Sequence, residues 1–124
     1  MHLSWDISFE AKTINGWCRH TIKILDADCE EVCFDSSKLL IKKTTLNATE
    51  VVIRCAELNP VLGTQICVPI PTHLQKKDAE FDIVFYYTVT SEATALQFLE
   101  PAATAGKKHP YMFTQCQVGN IYLK

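Results

Sequence analysis

Six cysteines and four histidines are the residues of this chain best suited to chemistry, as metal ligands or as a thiol nucleophile with its base. Cys29 and Cys33 form the one close pair, while Cys18, Cys55, Cys67 and Cys116 are scattered. A structural zinc site needs a second pair of ligands at zinc-finger spacing, and neither cysteine nor histidine supplies one nearby. Cys116 follows His109 closely enough to suggest a thiol–imidazole couple. Pro110 and an expected strand separate the two, and nothing marks the thiol as acidified. Cys18, Cys55 and Cys67 sit among Ile and Val, where a free thiol behaves as a small buried hydrophobe. The six are therefore expected as buried or idle thiols. Without a secretory signal at the N-terminus, their even number does not imply disulfides.

Other reactive combinations are missing. No His-Glu-x-x-His motif offers a zinc site, and Ser91 has no Gly-x-Ser-x-Gly elbow around it. Gly16, Gly63, Gly106 and Gly119 are too dispersed to cradle a phosphate. Glu30 and Glu31 alternate across a turn and are read as solvated. His20 falls on an apolar strand face with no acidic or thiol partner at matching spacing, which points to a hydrogen-bonded structural histidine. The Asn47-Ala48-Thr49 sequon is treated as chance.

These residues must be positioned by a chain of 124 residues carrying 12 Lys+Arg and 14 Asp+Glu, a formal net charge of −2. That length holds one domain with a real core. Apolar residues at 48% and charged residues at 21% are ordinary globular composition. The near-neutral balance, with no basic cluster longer than a pair, argues against nucleic acid, and no apolar run is long enough to span a bilayer. Neither a basic nor an apolar leader opens the sequence, so a cytoplasmic protein is expected.

The elements read as strands. Leu3, Trp5, Ile7 and Phe9 alternate with polar residues over 3–9, as in a half-buried strand, and Asn15-Gly16 has the composition of a tight hairpin turn. Residues 17–25 follow, with Cys18, Ile22 and Ile24 on one face, and then an acidic turn over 26–31. Short strands are expected over 32–34, 39–46, 51–55 and 65–70, separated by turns at 35–37, 47–49 and 60–63. Pro69 and Pro71 would put the last of these at an edge or end it there. The clearest strand is 80–90, with Phe81, Ile83, Phe85, Tyr87 and Val89 on one face; these are read as core, not as a ligand-stacking platform. The fold class is all-β, a single-domain antiparallel β-sandwich or saddle-like open sheet, with no active site evident from the residues alone.

The last third is more specific. Ala95-Leu96-Gln97-Phe98-Leu99-Glu100-Pro101 followed by Thr104-Ala105-Gly106-Lys107-Lys108-His109-Pro110-Tyr111-Met112-Phe113-Thr114-Gln115-Cys116-Gln117 resembles the N-terminal domain of the gluzincin metalloaminopeptidases, in particular the branch holding leukotriene A-4 hydrolase and aminopeptidase B. Phe34-Asp35 with Leu39-Leu40-Ile41-Lys42-Lys43, and Phe81-Asp82-Ile83-Val84-Phe85, extend the likeness more loosely back to about Leu3.

The resemblance implies a β domain over 1–117 that caps the substrate cleft of a separate zinc-bearing catalytic domain. It implies substrate binding by Gln115 and Gln117, with Gln117 nearer the substrate's α-amine, no catalytic or metal-binding residue in this chain, and no activity for the chain alone. Zinc, and a peptide N-terminus or a lipid epoxide as substrate, belong to a full-length parent. Without the resemblance, both amides would more simply satisfy sheet-edge or inter-domain hydrogen bonds. Residues 118–124 depart from the family pattern, and Gln117-Val118-Gly119 is what a read-through splice donor would encode, so a truncated product is expected. The alternative is a stand-alone binding or regulatory module that self-associates through the face the catalytic domain would otherwise cover.

Overall fold

A computed structural model describes residues 1–59, 63–93 and 95–115. Ten strands run β1 His2–Ser8, β2 Thr13–Lys23, β3 Glu31–Ser36, β4 Leu39–Leu46, β5 Thr49–Glu50, β6 Arg54–Asn59, β7 Gly63–Pro69, β8 Glu80–Val89, β9 Leu96–Leu99 and β10 Tyr111–Thr114. They form a five-stranded sheet in the order β1-β2-β8-β4-β5, a three-stranded sheet β3-β7-β6 and a two-stranded sheet β10-β9. Every pairing is antiparallel. The only helical pieces among the described residues are two 3-10 turns, Thr72–Leu74 and Pro101–Ala103. No helix among them is long and apolar enough to cross a membrane.

The core lies between the two larger sheets. Phe81, Ile83, Phe85 and Tyr87 of β8 face Ile66 and Val68 of β7, with Ile83 and Val68 fully buried. Alternation on β8 is thus the direct expression of its sequence, since a strand central to one sheet and covered by another needs large side chains at every second position. Ile14, Ala93 and Leu96 make a second, smaller core, against which Ile7, Phe98 and Met112 pack. This is where the β9–β10 hairpin is fastened to the end of the main sheet.

Several local expectations are corrected. Asn15-Gly16 is not a turn: both residues lie inside β2, opposite Asp6 and Trp5. The β1–β2 connection instead uses Lys12, at φ 53°. Gly16 is required by crowding, because a Cβ there would sit 2.5 Å from the Ser4 carbonyl oxygen and 2.7 Å from Trp5 Cδ1. Asn15 is held by its side chain, whose Oδ1 accepts from Lys42 Nζ at 3.0 Å and from Thr88 Oγ1 at 2.6 Å. The strand expected over 51–55 begins only at Arg54. β7 is a central strand, not an edge, and it ends at Pro69 as the missing donor requires. The turn at 47–49 is present, with Asn47 and Ala48 both left-handed at φ 47° and 67°.

The thiols differ most from expectation. Cys33 and Cys67 face each other across the β3–β7 ladder and are joined in a disulfide. Sequence spacing could not reveal this, because the two are brought together by strand register across a separation of 34 residues. Cys55, expected among the buried hydrophobes, is exposed and free, and Cys18 is half-buried and free. Glu31, expected to be solvated, is held by Arg54, whose Nη2 donates to both carboxylate oxygens at 2.6 and 2.8 Å.

Candidate functional site

Gln115, the first residue of the Gln-Cys-Gln motif, lies at the end of the β9–β10 hairpin. Register pairs Tyr111 with Leu99, Met112 with Phe98, Phe113 with Gln97 and Thr114 with Leu96. Met112 and Phe98 turn toward the smaller core. Strand alternation then places Tyr111, Phe113 and Gln115 on the opposite, open side. The rings of Tyr111 and Phe113 stack there at 6.2 Å. Gln115 is exposed, and its backbone N–H continues the ladder by donating to the Ala95 carbonyl at 2.9 Å. Cys116 and Gln117, and with them the shared face of Gln115 and Gln117 and the Cys116–His109 couple, lie outside the described residues.

A concavity of about 470 Å³ opens beside this strip, lined by Leu99, Tyr111, Pro110, His109 and the loop through Thr104 and Gly106. The loop has little apolar area to hold it and is fixed by polar bonds at its base. Thr104 Oγ1 bonds to the carbonyls of Pro101 at 2.8 Å and His109 at 3.0 Å, and the Lys107 N–H donates to the Thr104 carbonyl at 3.1 Å. The hairpin therefore presents an aromatic strip, a shallow hollow and a terminal amide.

A second cluster was missed by sequence reasoning. Cys18 Sγ and His20 Nε2 lie 3.5 Å apart, at the open side of the main core. Residues two apart on a strand share a face, and that spacing was the signal available. His20 packs its ring on Phe34 at 5.1 Å and on Phe85 at 6.1 Å, beside a hollow of about 170 Å³ between the sheets. Burial pushes the Cys18 thiol up from its ordinary value, partly offset by a hydrogen bond from the Phe85 backbone. Burial also pulls the His20 imidazole down, with a smaller contribution in the same direction from the positive N-terminus. Both shifts favour the neutral partners, the reverse of a thiolate–imidazolium nucleophile. His20 is thus a structural histidine with a thiol partner.

Glu31, Cys33 and Cys67 are the one group of three metal-donor side chains gathered among the described residues. They do not suit zinc as they stand, since both sulfurs are spent in the disulfide and Arg54 holds the carboxylate. Among the described residues, the donors of this group are thus already engaged with one another or with Arg54.

Residues 1–120 match the Peptidase M1 N-terminal domain. The chain belongs to this family. Among relatives of this M1 N-terminal domain, leucine aminopeptidase 2-2 of Scheffersomyces stipitis is 34% identical over 112 residues, covering 90% of this chain and 17% of the relative. Leukotriene A-4 hydrolase of Xenopus laevis is 31% identical over 118 residues, covering 94% of this chain and 19% of the relative. In fold, the chain is similar to native leukotriene A4 hydrolase from Saccharomyces cerevisiae at a TM-score of 0.75 and 24% identity, covering 90% of this chain and 17% of that one. The M1 N-terminal domain described here thus spans less than a fifth of the relatives it matches.

Proposed function

We propose that this chain is the domain that caps the substrate cleft of a leukotriene A-4 hydrolase-like zinc aminopeptidase, and that it is inactive by itself. The domain proper is 1–117, and 118–124 is a divergent tail. The observation that carries the reading is the exposed Gln115, held at the end of the β9–β10 ladder on the same side as the Tyr111–Phe113 strip. A side-chain amide in that place is open to a group from outside its own domain.

The chemistry suits the role. An amide carbonyl accepts from a substrate ammonium without bringing a second buried charge to the cleft. Gln115 and Gln117 are the substrate-binding pair, with Gln117 closer to the amine. Zinc and the reacting groups come from a catalytic domain beyond the residues of this chain. The substrate class is a peptide N-terminus, or a lipid epoxide, in the full-length enzyme, and the compartment is the cytoplasm.

The test is a chimera in which residues 1–117 replace the corresponding domain of Xenopus laevis leukotriene A-4 hydrolase. Gln117→Ala should raise KM for an aminoacyl substrate about tenfold, as for loss of a hydrogen bond to a charge, with kcat little changed. Unchanged kcat/KM in both Gln115→Ala and Gln117→Ala would overturn the assignment.

A second reading, a stand-alone module that self-associates, draws on the exposed apolar side chains. Trp5 is 50% exposed, Leu40 59% and Tyr111 57%. A solution mass twice that of the chain would favour it.

A further inference from the structure

We propose that the Cys33–Cys67 disulfide is a thiol-exchange site, at which a low-molecular-weight cysteine thiol adds to Cys33 and expels Cys67. The two sulfurs are not equivalent. Cys33 lies on the edge strand β3 and is exposed, whereas Cys67 lies on the central strand β7 and is only 3% exposed. An attacking thiolate must approach along the S–S axis from the far side of the sulfur it strikes. Access from solvent therefore directs it to Cys33.

The charges around the disulfide admit an anionic thiol. Arg54 on β6 stands opposite Cys67 in the β6–β7 register, on the side away from Cys33. Strand alternation places its side chain on the same sheet face as the disulfide. Its guanidinium reaches past β7 to Glu31 on β3, whose carboxylate lies within 4.8 Å of both sulfurs, and so neutralises the acid beside the disulfide. Of the two carboxylates on the Cys33 face of β3, Glu31 is compensated by Arg54, and Asp35 lies opposite the neutral Gln65. An anionic thiol therefore meets one uncompensated carboxylate, not two.

The step balances as ordinary exchange. The incoming thiolate forms a bond to Cys33 Sγ while the Cys33–Cys67 bond breaks, and the electron pair leaves on Cys67 Sγ. A second thiolate then attacks the sulfur of the first at Cys33, releasing a small-molecule disulfide and the Cys33 thiolate. Two thiols are oxidised to one disulfide, and the protein pair is reduced to two thiols once both thiolates take protons from water. In the opposite direction, Cys33 carries the adduct and Cys67 resolves it.

The experiment treats the purified chain, first oxidised with glutathione disulfide, with reduced glutathione. It is quenched with acid, the free thiols are alkylated, and the peptides are mapped by mass. Glutathione should appear on Cys33 and the alkyl group on Cys67, with adduct at Cys33 exceeding adduct at Cys67 at least tenfold. Arg54→Gln should slow its appearance several-fold while its circular dichroism spectrum and denaturant midpoint stay those of the wild type, which shows that the fold is intact. Equal partition, an adduct mainly on Cys67, no adduct at all, or a pair that glutathione disulfide leaves as free thiols would each overturn the proposal. The wild-type map carries the test, so it survives if Arg54→Gln fails to fold.

Discussion

The indole Nε1 of Trp5 donates to the Tyr87 hydroxyl at 2.8 Å, from the edge strand β1 to the central strand β8, with Gly16 of β2 between them in register. The bond ties the outermost strand to the strand at the centre of the main sheet. It exists because Gly16 has no side chain to hold the indole away.

Gly16→Ala should therefore destabilise the domain by about 1–3 kcal/mol, the usual cost of overpacking where the clash includes backbone. Denaturant unfolding followed by tryptophan fluorescence reads it. Stability unchanged from wild type would show that β1 is free to move away from β2.

Thr44 gives a prediction of opposite sign. Its Oγ1 is buried, faces the Phe85 side of the β4–β8 ladder, and has no hydrogen-bond partner among the described residues. Thr44→Val keeps the shape and removes the unsatisfied hydroxyl, so it should stabilise by about 1 kcal/mol. A loss of stability would mean that the hydroxyl has a partner, such as an ordered water.

Acid should weaken the fold through His20. Its folded value is lowered below the ordinary 6.5, chiefly by burial. The unfolded chain then binds the proton more readily. The contribution of this group is fully present above pH 6.5 and is lost as pH falls from there through the folded value. His20→Gln should flatten the fall of stability over that window, measured by denaturant midpoints across pH. A slope that persists unchanged would assign it to other groups.

Reduction should also cost stability. The Cys33–Cys67 link closes a segment with a sequence separation of 34, and the chain-entropy relation gives about 3–4 kcal/mol for such a loop. Thermal melts with and without reductant check this, with Cys33→Ser expected to melt near the reduced form. Identical melts would mean that the link constrains little in the unfolded chain.

Much of the fold was legible because period-two alternation is a direct record of burial. Residues 39–46 and 80–90 read as strands from their side chains, and both are strands, the second ending at Val89. Asn15-Gly16 misled for a physical reason. The same absence of Cβ that permits a turn also permits Trp5 to cross a strand, and only tertiary crowding distinguishes the two. The disulfide was hidden because register between distant strands carries no local signal. The Cys18–His20 contact was readable from alternation, but the sequence reading found no thiol partner for His20 although Cys18 stands two residues away on the same face. At the candidate site, the identity of the glutamines came from resemblance. Their spacing alone would fit any sheet edge.

The proposed role leaves the reacting groups to a catalytic domain and none to this chain. The most direct measurement is the zinc content of the purified chain together with its turnover of leucine p-nitroanilide. The account predicts a folded β-type circular dichroism spectrum, no stoichiometric zinc and no hydrolysis. Bound zinc with turnover would contradict it, and would place a metal centre among donors that the fold holds apart or has joined as a disulfide.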